Sequence, residues 1–200
     1  MKLLHAGPSP FVRKVRVLLH ETDQLDDIEM VHVTASPVGP DPELVAVNPT
    51  GKIPALIRDD GPALYDSRVI CRFLDDRAGA NLYPASRLWE TLTLEATADA
   101  MMDAAVLIVY EARFKDPAQQ SHDWIEGQWA KVDRALDAVN TRWMSHLSSR
   151  LDMAHIAMAC ALSYLDFRHE GRNWRQGRDA LATWHETFAA RPSMLATQPE

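Results

Sequence analysis

Apolar and polar positions follow two different rhythms along the chain, and the change falls near residue 80. In the first stretch, short apolar runs alternate with amphipathic ones. Lys2–Ala6 reads as a strand. Pro10–Thr22 reads as a helix, with Phe11, Val15, Leu18 and Leu19 on one face and Arg13, Lys14 and His20 off it. Ile28–Val33 alternates loosely as a strand does, and Glu43–Val47 is long enough for one helical turn before Asn48-Pro49-Thr50-Gly51. Ala55–Arg58 and Ala63–Tyr65 flank the turn signal Asp59-Asp60-Gly61-Pro62 and predict a hairpin. A second helix follows Asp66-Ser67, with Val69, Ile70, Phe73 and Leu74 on one face and Gly79 as its C-cap. The predicted order is β-α-β-α-β-β-α, a small mixed sheet with covering helices. After about residue 88 only long helical patterns remain: Leu88–Phe114, Ser121–Trp143, Asp152–Arg168 and Arg178–Ala190. The expected division is an α/β domain over 1–79, a linker over 80–87 and an all-helical domain over 88–200. Thr197–Glu200 reads as a frayed tail.

Composition narrows the function classes. The 200 residues are 46% hydrophobic and 24% charged, enough for a sizeable core. The formal net charge of −7 argues against nucleic acid, and Lys and Arg are dispersed among acids rather than gathered into a membrane-binding patch. No apolar run reaches the roughly 20 residues of a membrane helix, and the first residues lack a signal-peptide pattern. Cys71 and Cys160 are far apart and sit on apolar helical stripes. The eight histidines show no ligand spacing, so no metal is expected. A reducing, cytoplasmic setting is the expectation.

Candidate chemistry gathers where strands give way to helices. Ser9-Pro10 pairs a favoured N-cap with a favoured first helical residue. Capping uses an acceptor lone pair of the hydroxyl and leaves its proton free for an anion at the helix N-terminus. The common use of such a serine is capping alone. In Asn48-Pro-Thr-Gly-Lys-Ile-Pro-Ala-Leu56, Pro54 directly precedes a strand and has no ladder donor. A cis Ile53-Pro54 bond would leave the Ile53 backbone groups free for a bound peptide, whereas a trans bond would simply begin an edge strand. Asp66-Ser67 caps the next helix or, in a functional reading, receives a ligand carboxylate on the helix N–H groups and an ammonium on Asp66. Ser149-Arg-Leu-Asp152 has capping-box spacing with Asp at the third helical position, a structural start for a buried helix.

Together, Ser9-Pro-Phe-Val-Arg-Lys-Val, Asn48-Pro-x-Gly-Lys-Ile-Pro-Ala-Leu, Asp66-Ser67 and Ser149-x-x-Asp152 leading to Ala159–Arg168 resemble the glutathione S-transferase family, in its serine-type bacterial branch. The resemblance covers the whole chain. It implies a thioredoxin-like first domain that binds glutathione as co-substrate, with no metal, and a chain that forms a homodimer. Ser9 would be the catalytic residue, hydrogen-bonding the glutathione sulfur, with Phe11 beside it. Ile53, before a cis Pro54, would pair with the cysteinyl backbone; Asp66 and Ser67 would hold the γ-glutamyl end, and Lys52 the glycine carboxylate. A small electrophile would bind between the domains near Phe11, Met102, Ala105 and Val109. Conjugation to that electrophile is the implied reaction. A glutathione-dependent peroxidase, isomerase or dehalogenase, or a binding protein without turnover, are the alternatives. Serine rather than cysteine at position 9 argues against thiol–disulfide exchange.

Overall fold

The computed structural model describes residues 1–199 and divides into two compact units. One comprises Met1–Pro84 together with the C-terminal residues from Pro192 onward; the other is Ala85–Arg191.

The first unit is built on a three-stranded sheet of β1 (Lys2–His5), β2 (Glu29–His32) and β3 (Ala55–Ile57), in the order β2-β1-β3. The helix α1 (Pro10–Glu21) crosses over between the parallel pair β1 and β2, and β3 runs antiparallel to β1. Consecutive strand residues face opposite sides, so Leu3 and Leu4 serve different cores, and both are fully buried. Leu4 joins Val33, Ala55 and Leu44, the last from α2 (Pro42–Val47). The helix α3 (Ser67–Ala78) packs on α1 and β3. It ends at Gly79, whose φ of 61° is the left-handed turn expected of a glycine C-cap. Beyond it, the buried Asp75 carboxylate accepts from the N–H groups of Leu82 at 2.7 Å and Tyr83 at 3.3 Å, pinning the chain as it leaves the helix.

The expected α/β order is found, with the last strand reduced. Ala63–Tyr65 does not form a full strand; Leu64 alone makes a reciprocal bridge with Leu56, at 2.8 and 2.9 Å. Pro62 lacks an N–H, and two residues after Leu64 the chain is already capping α3, so one pair is all the ladder can hold.

In the second unit, α7 (Met153–His169) packs on α4 (Leu88–Phe114) and α8 (Asp179–Ala189), α5 (His122–Arg142) packs on α4 and α8, and the short α6 (Met144–Leu147) packs on α5 and α8. Residues Met153–Leu162 of α7 are all buried, so the first half of this helix is enclosed on every side. Its start lies within one residue of the expected Asp152, but the capping residue differs from the capping-box reading. Asp152, not Ser149, is the N-cap, and its Oδ1 accepts from the Ala154 N–H at 3.1 Å. His155 occupies the third helical position that the spacing had given to Asp152. Partners remote in sequence decide the register: the Thr91 hydroxyl and the Arg87 guanidinium reach Asp152 Oδ2 at 3.0 and 3.1 Å, and the nearer His146 Nε2 reaches it at 2.8 Å. Ser149 instead accepts from Arg87 Nη1 at 2.7 Å.

The first residue of the expected tail also departs from expectation, whereas Gln198 is exposed and Glu200 lies outside the described residues. The helix α9 (Pro192–Leu195) lies on α1, and Thr197 is 1% exposed rather than frayed. Arg13 Nη2 donates to the Met194 carbonyl at 3.0 Å, and the Ser193 hydroxyl donates to the Glu21 carboxylate. This cover explains why Arg13, placed off the apolar face by periodicity, is buried; Lys14, also placed off that face, is buried too.

Candidate functional site

The sheet register gathers three of the predicted segments at one end of the first unit. Leu4 pairs with Ala55, so the loop leaving β1 toward Ser9 and the loop entering β3 through Ile53 emerge side by side. Leu56 pairs with Leu64 antiparallel, which carries Asp66 back toward the level of Pro54. The positive charge of Lys14, one turn into α1, is felt at Asp66.

Ser9 is the N-cap of α1. Its Oγ accepts from the Val12 N–H at 3.3 Å, and Pro10 takes the first helical position. Capping occupies one lone pair and leaves the hydroxyl proton available. The side chain is half-buried, as is Phe11.

The Ile53-Pro54 bond is cis. Ile53 is half-buried, Pro54 buried and Lys52 exposed. The buried Asn48, a helix stop and the first residue of the Asn48-Pro-x-Gly motif in the sequence, spans the loop from within. Its Nδ2 donates to the Lys52 carbonyl at 2.7 Å, and its Oδ1 accepts from the Thr50 N–H and hydroxyl at 3.1 and 2.8 Å.

Asp66 is the N-cap of α3, with Oδ1 accepting from the Arg68 N–H at 3.1 Å. Arg68 Nη2 meets Oδ2 at 2.8 Å. Partial burial alone would raise the Asp66 carboxyl; the hydrogen bonds and charge of Arg68, with Lys14 beyond, outweigh it and hold the group below the usual carboxylate range. An exposed anion is therefore maintained at this end of the sheet, beside a helix N-terminus suited to negative charge. Ser67, its neighbour, is 2% exposed. Arg68 was not singled out in the sequence; an Asp two residues before an Arg at a helix start is the signal for it.

The remaining predicted positions lie on α4. Met102 and Ala105 are buried, at 1% and 0% exposure, and the Ala105 carbonyl is 3.0 Å from His169 Nε2. Val109 is half-buried. An apolar groove of about 600 Å³ runs instead between α4 and α5, lined by Trp89, Thr93, Ala96, Ala100, Lys131 and Ala135 among others. Histidine spacing had suggested no ligand group, yet His146, Asp152 and His155 converge in space. The Asp152 carboxylate there already accepts from Thr91, the Ala154 N–H and both imidazoles and forms an ion pair with Arg87, which makes the cluster a cap for α7.

Residues 8–77 match the family model for the N-terminal domain of glutathione S-transferases, and residues 123–187 match that for the C-terminal domain. Along its whole length the chain is 32% identical to an uncharacterized GST-like protein, YibF, of Escherichia coli K12, covering 98% of that protein. The chain belongs to the glutathione S-transferase family. Among solved structures, a glutathione transferase family member from Pseudomonas fluorescens Pf-5 with bound glutathione is 48% identical to this transferase-family chain. The alignment covers 100% of this chain and 98% of that one, with a TM-score of 0.97. A structure of a family member from the same source with bound S-(propanoic acid)-glutathione is 46% identical with a TM-score of 0.92, each chain covered in full.

Proposed function

We propose that this glutathione S-transferase family member binds glutathione at the β1–α1 end of its sheet, activates the thiolate through the Ser9 hydroxyl and conjugates it to small electrophiles. The carrying observation is Ser9 itself: an N-cap whose oxygen is used by Val12 and whose proton is left for an acceptor at a helix N-terminus. In this reading Ile53 pairs through its backbone with the cysteinyl unit, Asp66 and Ser67 hold the γ-glutamyl end, and Lys52 meets the glycine carboxylate. The Asp66 carboxylate, kept ionised beside Arg68, suits an ammonium group.

The energetics are adequate. A free thiol titrates near 8.5, so about 3% is thiolate at pH 7; lowering that by about two units needs roughly 2.7 kcal/mol. A charge-assisted hydrogen bond supplies about 1.5–3 kcal/mol, and the helix N-terminus up to about 1 kcal/mol. The thioether ligand of the similar Pseudomonas fluorescens structure, S-(propanoic acid)-glutathione, favours conjugation over a purely redox use of the sulfur.

The surface and the thiols extend this reading. The α4–α5 groove, with Trp89 75% exposed beside it, is the face a second copy would cover in a homodimer. Sedimentation at twice the 22.5 kDa chain mass would support this, and a monomer at micromolar concentration would end it. Cys71 and Cys160 are buried and unbridged, which accords with a reducing cytoplasmic setting; no helix among the described residues is long and apolar enough to cross a membrane.

The activity test is a conjugation assay over a panel of small electrophiles with wild type and Ser9→Ala. At neutral pH the variant is expected to lose about 10- to 100-fold in kcat/KM, the rate equivalent of one charge-assisted hydrogen bond. Equal rates would remove Ser9 from the chemistry. No rate with any electrophile would favour a glutathione-binding protein without turnover.

A further inference from the structure

Resting on the reading of Ile53 as the residue that pairs with glutathione, we propose that Asn48 is the positioning residue that aims the Ile53 N–H at the ligand. One peptide plane links the two residues. The Lys52 carbonyl and the Ile53 N–H belong to the same planar unit and point in opposite directions. Whatever holds the carbonyl therefore fixes the direction of the N–H. The holder is Asn48 Nδ2, 2.7 Å from the Lys52 oxygen and 2% exposed as a residue.

The amide is oriented without ambiguity. The Lys52 carbonyl only accepts and the Thr50 N–H only donates, so Nδ2 must face the first and Oδ1 the second. The Thr50 hydroxyl adds a second bond to Oδ1 at 2.8 Å. The Asn48 backbone is anchored at both ends: its N–H donates to the Leu44 carbonyl at 2.8 Å, and its own carbonyl accepts from the Gly51 N–H at 2.9 Å. Gly51, at φ 63°, makes the left-handed turn that folds Lys52 back over the side chain. The loop is thus wound around one amide, whose Nδ2 donor sets the plane that Ile53 presents. Asn48 lies beneath the ligand-facing groups and acts through them.

Asn48→Asp tests this with minimal change of shape. It keeps an acceptor for Thr50 but sets a carboxylate oxygen against the Lys52 carbonyl, and two acceptors at that distance repel. The peptide plane must rotate. Because the Ile53 contact would be equally present in the ground and transition states, its loss raises KM and leaves kcat nearly unchanged. Calorimetry with glutathione is expected to give a Kd about tenfold weaker, the equivalent of one lost hydrogen bond. In the ligand-free protein, the Ile53 amide resonance is expected to move. Thr50→Val, which removes only the hydroxyl bond to Oδ1, shifts both readouts the same way by less, and it decides the question should Asn48→Asp not fold. A folded Asn48→Asp with wild-type Kd and an unmoved Ile53 amide would overturn the proposal. If wild type binds no glutathione, the functional reading fails; the Ile53 resonance of the free variants still decides whether Asn48 orients that plane.

Discussion

Ser9 carries two demands on one hydroxyl, and the geometry lets both be met. Its lone pair receives the Val12 N–H while its proton stays free, so starting α1 and meeting a thiolate are compatible. Ser9→Ala should therefore have a second signature besides its rate loss: about 1 kcal/mol of stability from the missing cap, read as a lower urea midpoint at unchanged slope. A midpoint identical to wild type would show that the cap contributes nothing. The residues legible from sequence were those whose roles are local. Ser9-Pro10, Ile53-Pro54 and Asp66-Ser67 each combine a helix or strand boundary with a residue type that suits it. Asn48 was not legible in the same way, because its meaning lies in which carbonyl it reaches once Gly51 has turned the loop. Arg13 shows the same limit from the other side. Helical periodicity put it off the apolar face and could not foresee Met194 and Thr197 returning to cover it.

At the level of elements, the long helices and the leading strands were readable because their periodicity extends over many residues. The weak second arm of the hairpin was not: the spacing allowed a strand over Ala63–Tyr65, but the nearby cap of α3 leaves only the Leu56–Leu64 pair. At the start of α7, Ser149 and Asp152 both satisfy local capping rules, and the choice between them falls to Arg87 and Thr91, some sixty residues earlier in the chain. Burial pushes the Asp152 carboxyl up, but His155, His146 and Thr91 outweigh it and hold it below the usual range. A carboxyl depressed in the folded state stabilises the fold at pH values above its unfolded value, about 3.9, and that contribution is lost as pH falls through the folded value. Asp152→Ala should cost about 3–5 kcal/mol at pH 7, the usual range for leaving a buried charge network without its counter-ion. The gap to wild type should narrow below about pH 4, as the wild-type carboxyl protonates. A pH-independent loss under about 1 kcal/mol in denaturant titrations would contradict this origin of the helix start.

For the molecule as a unit, composition narrows the expectations and the motifs point to one family. A net charge of −7 with dispersed basic residues argues against nucleic acid. The family followed from motifs spread along the entire chain and stands on the two domain matches and the YibF likeness. The electrophile is less legible, because no sequence motif marks the groups that would select a substrate, and Met102 and Ala105 are buried. The proposed function rests on activation of glutathione by Ser9, and the ionisation of the bound thiol reports that activation without an electrophile. Saturated complexes of wild type and Ser9→Ala would be titrated from acid to base by thiolate ultraviolet absorbance. Wild type should ionise bound glutathione about two units below the free thiol value near 8.5, and Ser9→Ala should return most of that shift. The same midpoint in both proteins, or a wild-type midpoint at the free value, would refute activation by Ser9.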